Sequence, residues 1–297
     1  MAQVQSNGVP STTAVAPGGK VSAMRRLGVL LLAVLLVLAA CARQAPATTS
    51  ETPASQGAAA VRVGATSDPT VQVLVELYVQ ALSGKGRVAQ VVEVADDVNG
   101  QVSRLMANEL DVVPAFAWSA AQSLQVDSSD PQSLVSDLAA ALDGEVAVLQ
   151  PSKVDRAWRY VATKSDVSLL DLTKKTKVAA PERWRKAPDG QPGLAAIYQV
   201  KPSVTTVAEA DQRLALVKSG AIAVFDGTEP QSTDSGVKAV DDPKSMTTAD
   251  PQLALLRLDL AGDDTVLDVV QQLHGALDNA AIIEIRKRSV NEGVPAA

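Results

Sequence analysis

Few side chains of this 297-residue chain could do covalent or metal chemistry. Cys41 is the only cysteine and His274 the only histidine. A lone cysteine has no intramolecular disulfide partner, and one His with one Cys cannot fill a metal coordination set. His274 falls in a stretch that predicts a C-terminal helix, where a solvated surface position is expected, because no orienting partner is evident. Neither G-x-S-x-G nor a glycine-rich phosphate-binding loop occurs. The acidic pairs Asp96-Asp97, Asp241-Asp242 and Asp263-Asp264 read as helix caps and turns. No enzyme, metal or cofactor is indicated. Aromatics are only 3% of the chain, so each ring near a pocket carries weight.

Cys41 ends a patterned segment. Met24-Arg25-Arg26 is basic, and Leu27 to Ala40 is uncharged and almost entirely Leu, Val and Ala. The run is shorter than the ~20 residues a spanning helix needs. A basic start, an apolar middle and small residues at the cut are the layout of an export signal. Leu38-Ala39-Ala40-Cys41 resembles the bacterial lipobox. The resemblance implies diacylglycerol on the Cys41 thiol, cleavage before it, and a mature chain lipid-anchored to the outer face of the cytoplasmic membrane. Two acyl chains suffice for stable anchoring where one does not. Residues 1–23 read as a mis-assigned start, with Met24 the more natural first residue, so that 1–40 is the signal peptide. Residues 41–60, mostly Ala, Thr, Ser and Pro, read as a disordered tether.

The mature part keeps 24 basic against 33 acidic groups, a net charge of −9, which argues against nucleic acid as a partner. Its pattern alternates strands and helices. Val61-Arg62-Val63-Gly64 predicts a strand, and Asp68-Pro69 opens a helix that puts Val71, Leu74, Val75, Tyr78 and Leu82 on one face. Strands follow at 88–94, 110–113, 146–149, 158–163, 177–180, 221–225, 237–240 and 253–258, and helices at 98–108, 133–142, 208–219, 265–276 and 280–290. Such alternation predicts βαβ units and a largely parallel sheet. With no catalytic constellation, a binding role is the expectation.

An ordered series of segments resembles the substrate-binding proteins of osmoprotectant ABC transporters, the glycine betaine, choline and carnitine type. They are Glu76-Leu77-Tyr78-Val79-Gln80-Ala81-Leu82, Asn108-Glu109-Leu110-Asp111-Val112-Val113-Pro114, Leu149-Gln150-Pro151 through Trp158, Pro188-Asp189-Gly190-Gln191-Pro192-Gly193-Leu194 with Tyr198, and Ser219-Gly220-Ala221-Ile222-Ala223-Val224. The resemblance covers nearly the whole mature domain. It implies a type II periplasmic-binding-protein fold: two α/β lobes joined by two crossover strands near 157–165 and 250–258, with 61–160 and 258–297 as the first lobe and 161–257 as the second. It also implies a monomer that passes a small solute to an ABC permease and its ATPase; the alternative is a degenerate homologue that acts as a sensor or interaction lipoprotein.

The resemblance further implies a ligand site of Phe116, Trp118, Ser119, Trp158, Thr66, Asp155, Asp226 and Thr228. In the family a quaternary ammonium lies in an aromatic cage, and basic side chains and hydroxyls hold the ligand carboxylate. Phe116 stands for a family Tyr, Trp158 for a second Tyr, and Ser119 for a carboxylate-supporting Thr. Thr66 stands where the family has Lys and Ala187 where it has Arg, while Asp226-Gly227-Thr228 replaces a segment that brings another ring. Arg183 and Arg185 lie nearby in sequence. The cage is partly kept and the carboxylate clamp dismantled, which favours a cation without a carboxylate, or a flat or neutral solute stacking on Phe116, Trp158 and Trp118. Tyr78 and Tyr198 read as core rings.

Overall fold

The computed structural model describes residues 59–128 and 133–292. The signal segment, the lipidation residue Cys41 and the tether up to residue 58 lie outside the described residues. No helix among the described residues is long and apolar enough to cross a membrane.

The strands are β1 (Val61–Ala65), β2 (Ala89–Glu93), β3 (Val112–Phe116), β4 (Val146–Val148), β5 (Trp158–Ala162), β6 (Lys177–Ala180), β7 (Ser203–Thr206), β8 (Ile222–Asp226), β9 (Lys238–Ala239) and β10 (Gln252–Arg257). The helices are α1 (Pro69–Gly84), α2 (Val98–Met106), α3 (Ala117–Ser123), α4 (Leu134–Ala141), α5 (Glu182–Lys186), α6 (Gln191–Ile197), α7 (Ala210–Lys218), α8 (Asp264–Ala276) and α9 (Asn279–Glu292).

They form two five-stranded sheets of matching design, in the orders β2-β1-β3-β10-β4 and β7-β6-β8-β5-β9. In each sheet four strands run one way and a single strand, β10 or β5, runs against them, pairing antiparallel on both its sides. The sheets are therefore mixed, not largely parallel. In each, the antiparallel strand is the one that arrives from the other lobe: β10 enters the first sheet and β5 the second. The sequence limits place residues 252–257 in the second lobe, but their pairing with β3 and β4 puts them in the first. Sequence order misleads here because β10 follows the whole second lobe in the chain. The chain passes between sheets just before Trp158 and just before Gln252, where Asp155 and Pro251 make an isolated antiparallel bridge.

Period-two alternation explains why each sheet is covered on both faces. Along β10, Ala254 and Leu256 pack into a core with α1, α8 and α9, whereas Leu253 and Leu255 pack into a core with α2, α3 and α4. Along β8, Ile222 and Val224 face one core, and Ala223 and Phe225 the other. Helix α1 begins as its sequence demands: the Asp68 carboxylate accepts from the Thr70 and Val71 amides, and Pro69 occupies the first turn. Its apolar face, from Val71 to Leu82, is buried. Truncating a side chain such as Leu74, fully buried there, costs about 2–5 kcal/mol in sites of this kind.

His274 departs from the surface position expected for it. It is 8% exposed, its Nδ1 bonds the Gln150 carbonyl at 2.6 Å, and its Nε2 lies 2.6 Å from the Tyr78 hydroxyl. The segment at 149–151 covers this face of α8, which helix periodicity alone does not reveal. Burial lowers the imidazole pKa, opposed by the bond to Gln150.

Candidate functional site

Strand β3 ends at Phe116 and runs directly into α3 without a side-chain cap. That tight join places Trp118 and Ser119 at the first turn of α3. Asp250, on the returning crossover, supplies the missing cap: its Oδ1 accepts from the Trp118 amide at 2.8 Å, and its Oδ2 from the Ser119 hydroxyl at 2.8 Å. Ser119, expected to hold a ligand carboxylate, thus has a carboxylate of the chain itself. Burial raises the Asp250 pKa, opposed by Arg156 and by the Ser119 and Trp118 donors.

The other crossover carries Asp155, Arg156 and Trp158. Asp155 is a structural residue: its Oδ1 accepts from the amides of Ala157 and Asp250, both at 2.8 Å, which pins the two crossovers together. Asn279, at the start of α9, reinforces this by donating to the Asp155 carbonyl at 2.8 Å and the Gly227 carbonyl at 2.9 Å. Gly227 has to be glycine for this approach, since a Cβ there would lie 2.4 Å from the Asp155 carbonyl oxygen. The contact brings the end of β8, and so Asp226, up against the crossover.

Asp226 is the hub between the lobes. Its Oδ2 accepts from Arg156 Nε at 3.1 Å and from the Arg183 guanidinium, and its Oδ1 from the Thr228 amide at 2.7 Å and the Thr228 hydroxyl. Arg156 Nη2 reaches on to Asp68 Oδ2 in the first lobe at 3.2 Å. Burial alone would raise the Asp226 pKa, but Arg156, Arg183 and Thr228 outweigh it and hold the carboxyl at about 2. Arg156 is likewise desolvated, yet Asp226, Asp68 and Asp250 keep its pKa raised. Behind Asp226, Glu229 accepts from the Asp226 amide and pairs with the fully buried Arg213. Thr228 bonds Thr70 of the first lobe through their hydroxyls at 2.8 Å, and Arg286 of α9 donates to Thr70 Oγ1 and the Thr228 carbonyl.

Both rings singled out from the sequence carry a guanidinium on their face. Arg156 lies 4.5 Å from the centroid of Phe116, and Arg183 lies 4.4 Å from that of Trp158. Phe116 is 2% exposed, covered by Arg156. Trp158 Nε1 donates to Asp189 Oδ1 at 3.2 Å, and the Asp189 pKa is raised by burial against its hydrogen bonds. A cavity of about 80 Å³ remains, lined by Trp118, Ser119, Gln122, Arg156, Trp158, Arg183, Asp189, Thr248 and Asp250 among others. Trp118 Nε1 is buried without a hydrogen-bond partner among the described residues.

The structure therefore brings Trp118, Ser119 and Trp158 to the cavity, sets Asp155, Asp226 and Thr228 in the ties between crossovers and lobes, and packs Phe116 in the first lobe's core beneath Arg156. It does not gather Thr66, which lines a separate groove with Ala65, Gln72, Val91 and Glu93 on the β1–β2 side and accepts from the Asp68 amide. Thr66 is one residue past β1, and its side chain follows the sheet rather than the cleft. Arg185 is also elsewhere, bonded to Thr206 and Gln191. Sequence reasoning missed Arg156, Asp68, Asp189 and Asp250 as members of the site. Asp189 had a signal, its place in the Pro188-Asp189-Gly190 turn; Arg156 had only its nearness to Trp158. Tyr78 is buried in the first lobe's core and Trp184 in the second's, where Trp184 Nε1 donates to the Tyr160 hydroxyl.

No curated protein sequence matches the chain significantly. Among solved structures it is similar to a glycine betaine/carnitine/choline ABC transporter protein, with a TM-score of 0.68 and 13% identity over 80% of this chain and 94% of that one. It is also similar to apo YehZ from Escherichia coli, at 0.63 and 18% over 80% and 95%, and to lactococcal OpuAC in its closed form with glycine betaine, at 0.56 and 12% over 80% and 91%. These likenesses establish the type II periplasmic-binding-protein fold. The substrate-binding domain of ABC-type glycine betaine transport systems matches residues 59–297, and the chain belongs to that family.

Proposed function

We propose that the chain is an extracytoplasmic solute-binding lipoprotein, held at the membrane by a lipid on Cys41, that delivers a small solute to an ABC permease and its ATPase. Its solute is a small compound related to the quaternary-amine osmoprotectants. The observation that carries this reading is the ring-lined cavity between the lobes, bounded by residues of both crossovers. Lobes hinged at two crossovers can close on a solute and open to release it.

A thermal-shift screen of the purified protein tests this. The library would hold glycine betaine, choline, carnitine, proline betaine, related polar solutes without a quaternary ammonium, and aromatic compounds. A true ligand at a hundred times its dissociation constant stabilises the fold by about 2.7 kcal/mol. At least one solute is expected to raise the midpoint, and Trp158→Ala to abolish that shift. A broad library that leaves the midpoint unmoved would overturn the transport reading.

A further inference from the structure

From the guanidinium over each ring, we infer that Arg156 and Arg183 are internal occupants of the aromatic cage, and that they set its specificity against quaternary ammonium ions. The inference rests on the solute-binding reading of this cleft and concerns which solutes it admits.

The geometry is that of a cation site already filled. A ring face has one favourable position for a cation, within about 6 Å of its centroid. Arg156 takes that position over Phe116 at 4.5 Å, and Arg183 takes it over Trp158 at 4.4 Å. Neither guanidinium is there by chance of rotamer. Asp226 Oδ2 accepts from both, and Asp68 holds Arg156 from the opposite lobe. Asp226 is itself fixed by Thr228 and, through its amide, by Glu229. One carboxylate thus aims two cations at two rings. A guanidinium also has hydrogen-bond donors, which a quaternary ammonium lacks, so the carboxylate favours the internal cations over any alkylammonium competitor.

The two arginines differ in how firmly they are seated. The Arg156 side chain is 10% exposed and bridges two carboxylates; that of Arg183 is 40% exposed and pairs with Asp226 alone. Arg183 borders both the 80 Å³ cavity and a second, polar cavity of about 380 Å³ on the far side of Asp226. It is therefore the group whose removal uncovers a ring next to open space.

The test is a gain of binding. Tetramethylammonium and choline are titrated into the unaltered protein, Arg183→Ala, Arg156→Ala and, as a control for charge alone, Arg185→Ala, using calorimetry and tryptophan fluorescence. Arg183→Ala is expected to bind both probes at least about tenfold tighter than the unaltered protein, the change one freed ring face supplies. Arg185→Ala is expected to match the unaltered protein, and Trp158→Leu added to Arg183→Ala to cancel the gain. The inference is overturned if Arg183→Ala, folded and with an unchanged melting midpoint, binds no tighter. It is also overturned if the unaltered protein already binds choline with micromolar affinity, or if Arg185→Ala gains equally. Should Arg156→Ala fail to fold, Arg183→Ala decides the question alone. Failure of the transport reading looks different: the unaltered protein then binds no solute of the wider library, whatever Arg183→Ala does.

Discussion

The Asp226 cluster between the lobes and the His274 cluster inside the first lobe both tie a crossover to distant elements. In the first, Arg156 links Asp68 to Asp226; in the second, Tyr78 of α1 and the Gln150 carbonyl close on the His274 ring. Both are well shielded from water, but one is ionic and the other neutral. The neutral cluster satisfies its ring completely in one tautomer, Nδ1–H donating to Gln150 and Nε2 accepting from Tyr78, and has no charge to offer a ligand. The ionic cluster carries more charge than its own geometry can balance: Asp226, Asp68, Asp189 and Asp250 surround Arg156 and Arg183. The contrast teaches that burial alone does not mark a binding site; burial of groups that could be repartnered does.

Substitutions and pH should separate the two clusters, and the largest effect belongs to Asp226. Replacing it with alanine leaves Arg183 unpaired and Arg156 with Asp68 alone, at a cost of about 3–5 kcal/mol in chemical denaturation. A loss under about 1 kcal/mol would mean that the cleft is not organised around this carboxylate.

Acid comes next. Asp226 is held at about 2 against an ordinary 3.8, so its contribution is present above the ordinary value and is lost as pH falls through about 2. It amounts to about 2 kcal/mol. His274 works in another window. Its folded pKa lies below 6.5, so its contribution is present above 6.5 and is lost as pH falls below that value toward the folded pKa. Denaturation midpoints between about pH 7 and pH 5 should therefore fall in the unaltered protein and fall less in His274→Gln, while Asp226→Asn should lower stability across that range without changing its slope, and flatten the slope only below the ordinary carboxylate value. An equal slope in His274→Gln would break the distinction.

Tyr78→Phe removes the donor to His274 Nε2 and should cost about 1–2 kcal/mol by denaturation, without changing affinity for any solute. The smallest effect on stability is expected of Arg183→Ala, under about 1 kcal/mol because its side chain is 40% exposed and screened. That variant should nonetheless move cation binding most, and a large loss of stability instead would make Arg183 a structural residue.

Much of the fold is written locally. The Asp68-Pro69 start, the apolar face of α1 and the alternation in β8 and β10 need only neighbours three or four residues away, or two. The helix at 117–123 escaped because its cap, Asp250, is 133 residues away from Ala117 and its own start is Phe116-Ala117, which signals nothing. The short α5 and α6, flanking the 188–190 turn, and β7 carry too few residues for periodicity to register. The site was legible in its rings and illegible in its charges. Phe116 and Trp158 stand out because aromatics are scarce, but Arg156 gains its meaning from Asp68 and Asp226, which only the folded chain brings to it. The burial of His274 is hidden for the same reason, since helix periodicity does not show that residues 149–151 cover it.

The placement of β10 has a consequence in time. Every strand of the second sheet lies between residues 158 and 239, so that sheet can assemble as soon as this stretch is available. The first sheet cannot: β4 has no partner there other than β10, and β3 is left with one open edge, until residues 252–257 arrive. An emerging chain thus completes its second lobe first, and the first lobe waits half-paired with an unpaired strand edge, the kind of edge that other chains can add to. The last forty-odd residues, which bring β10, α8, α9 and the Asn279 tie, then finish the first lobe and fasten it to the second in a single stroke.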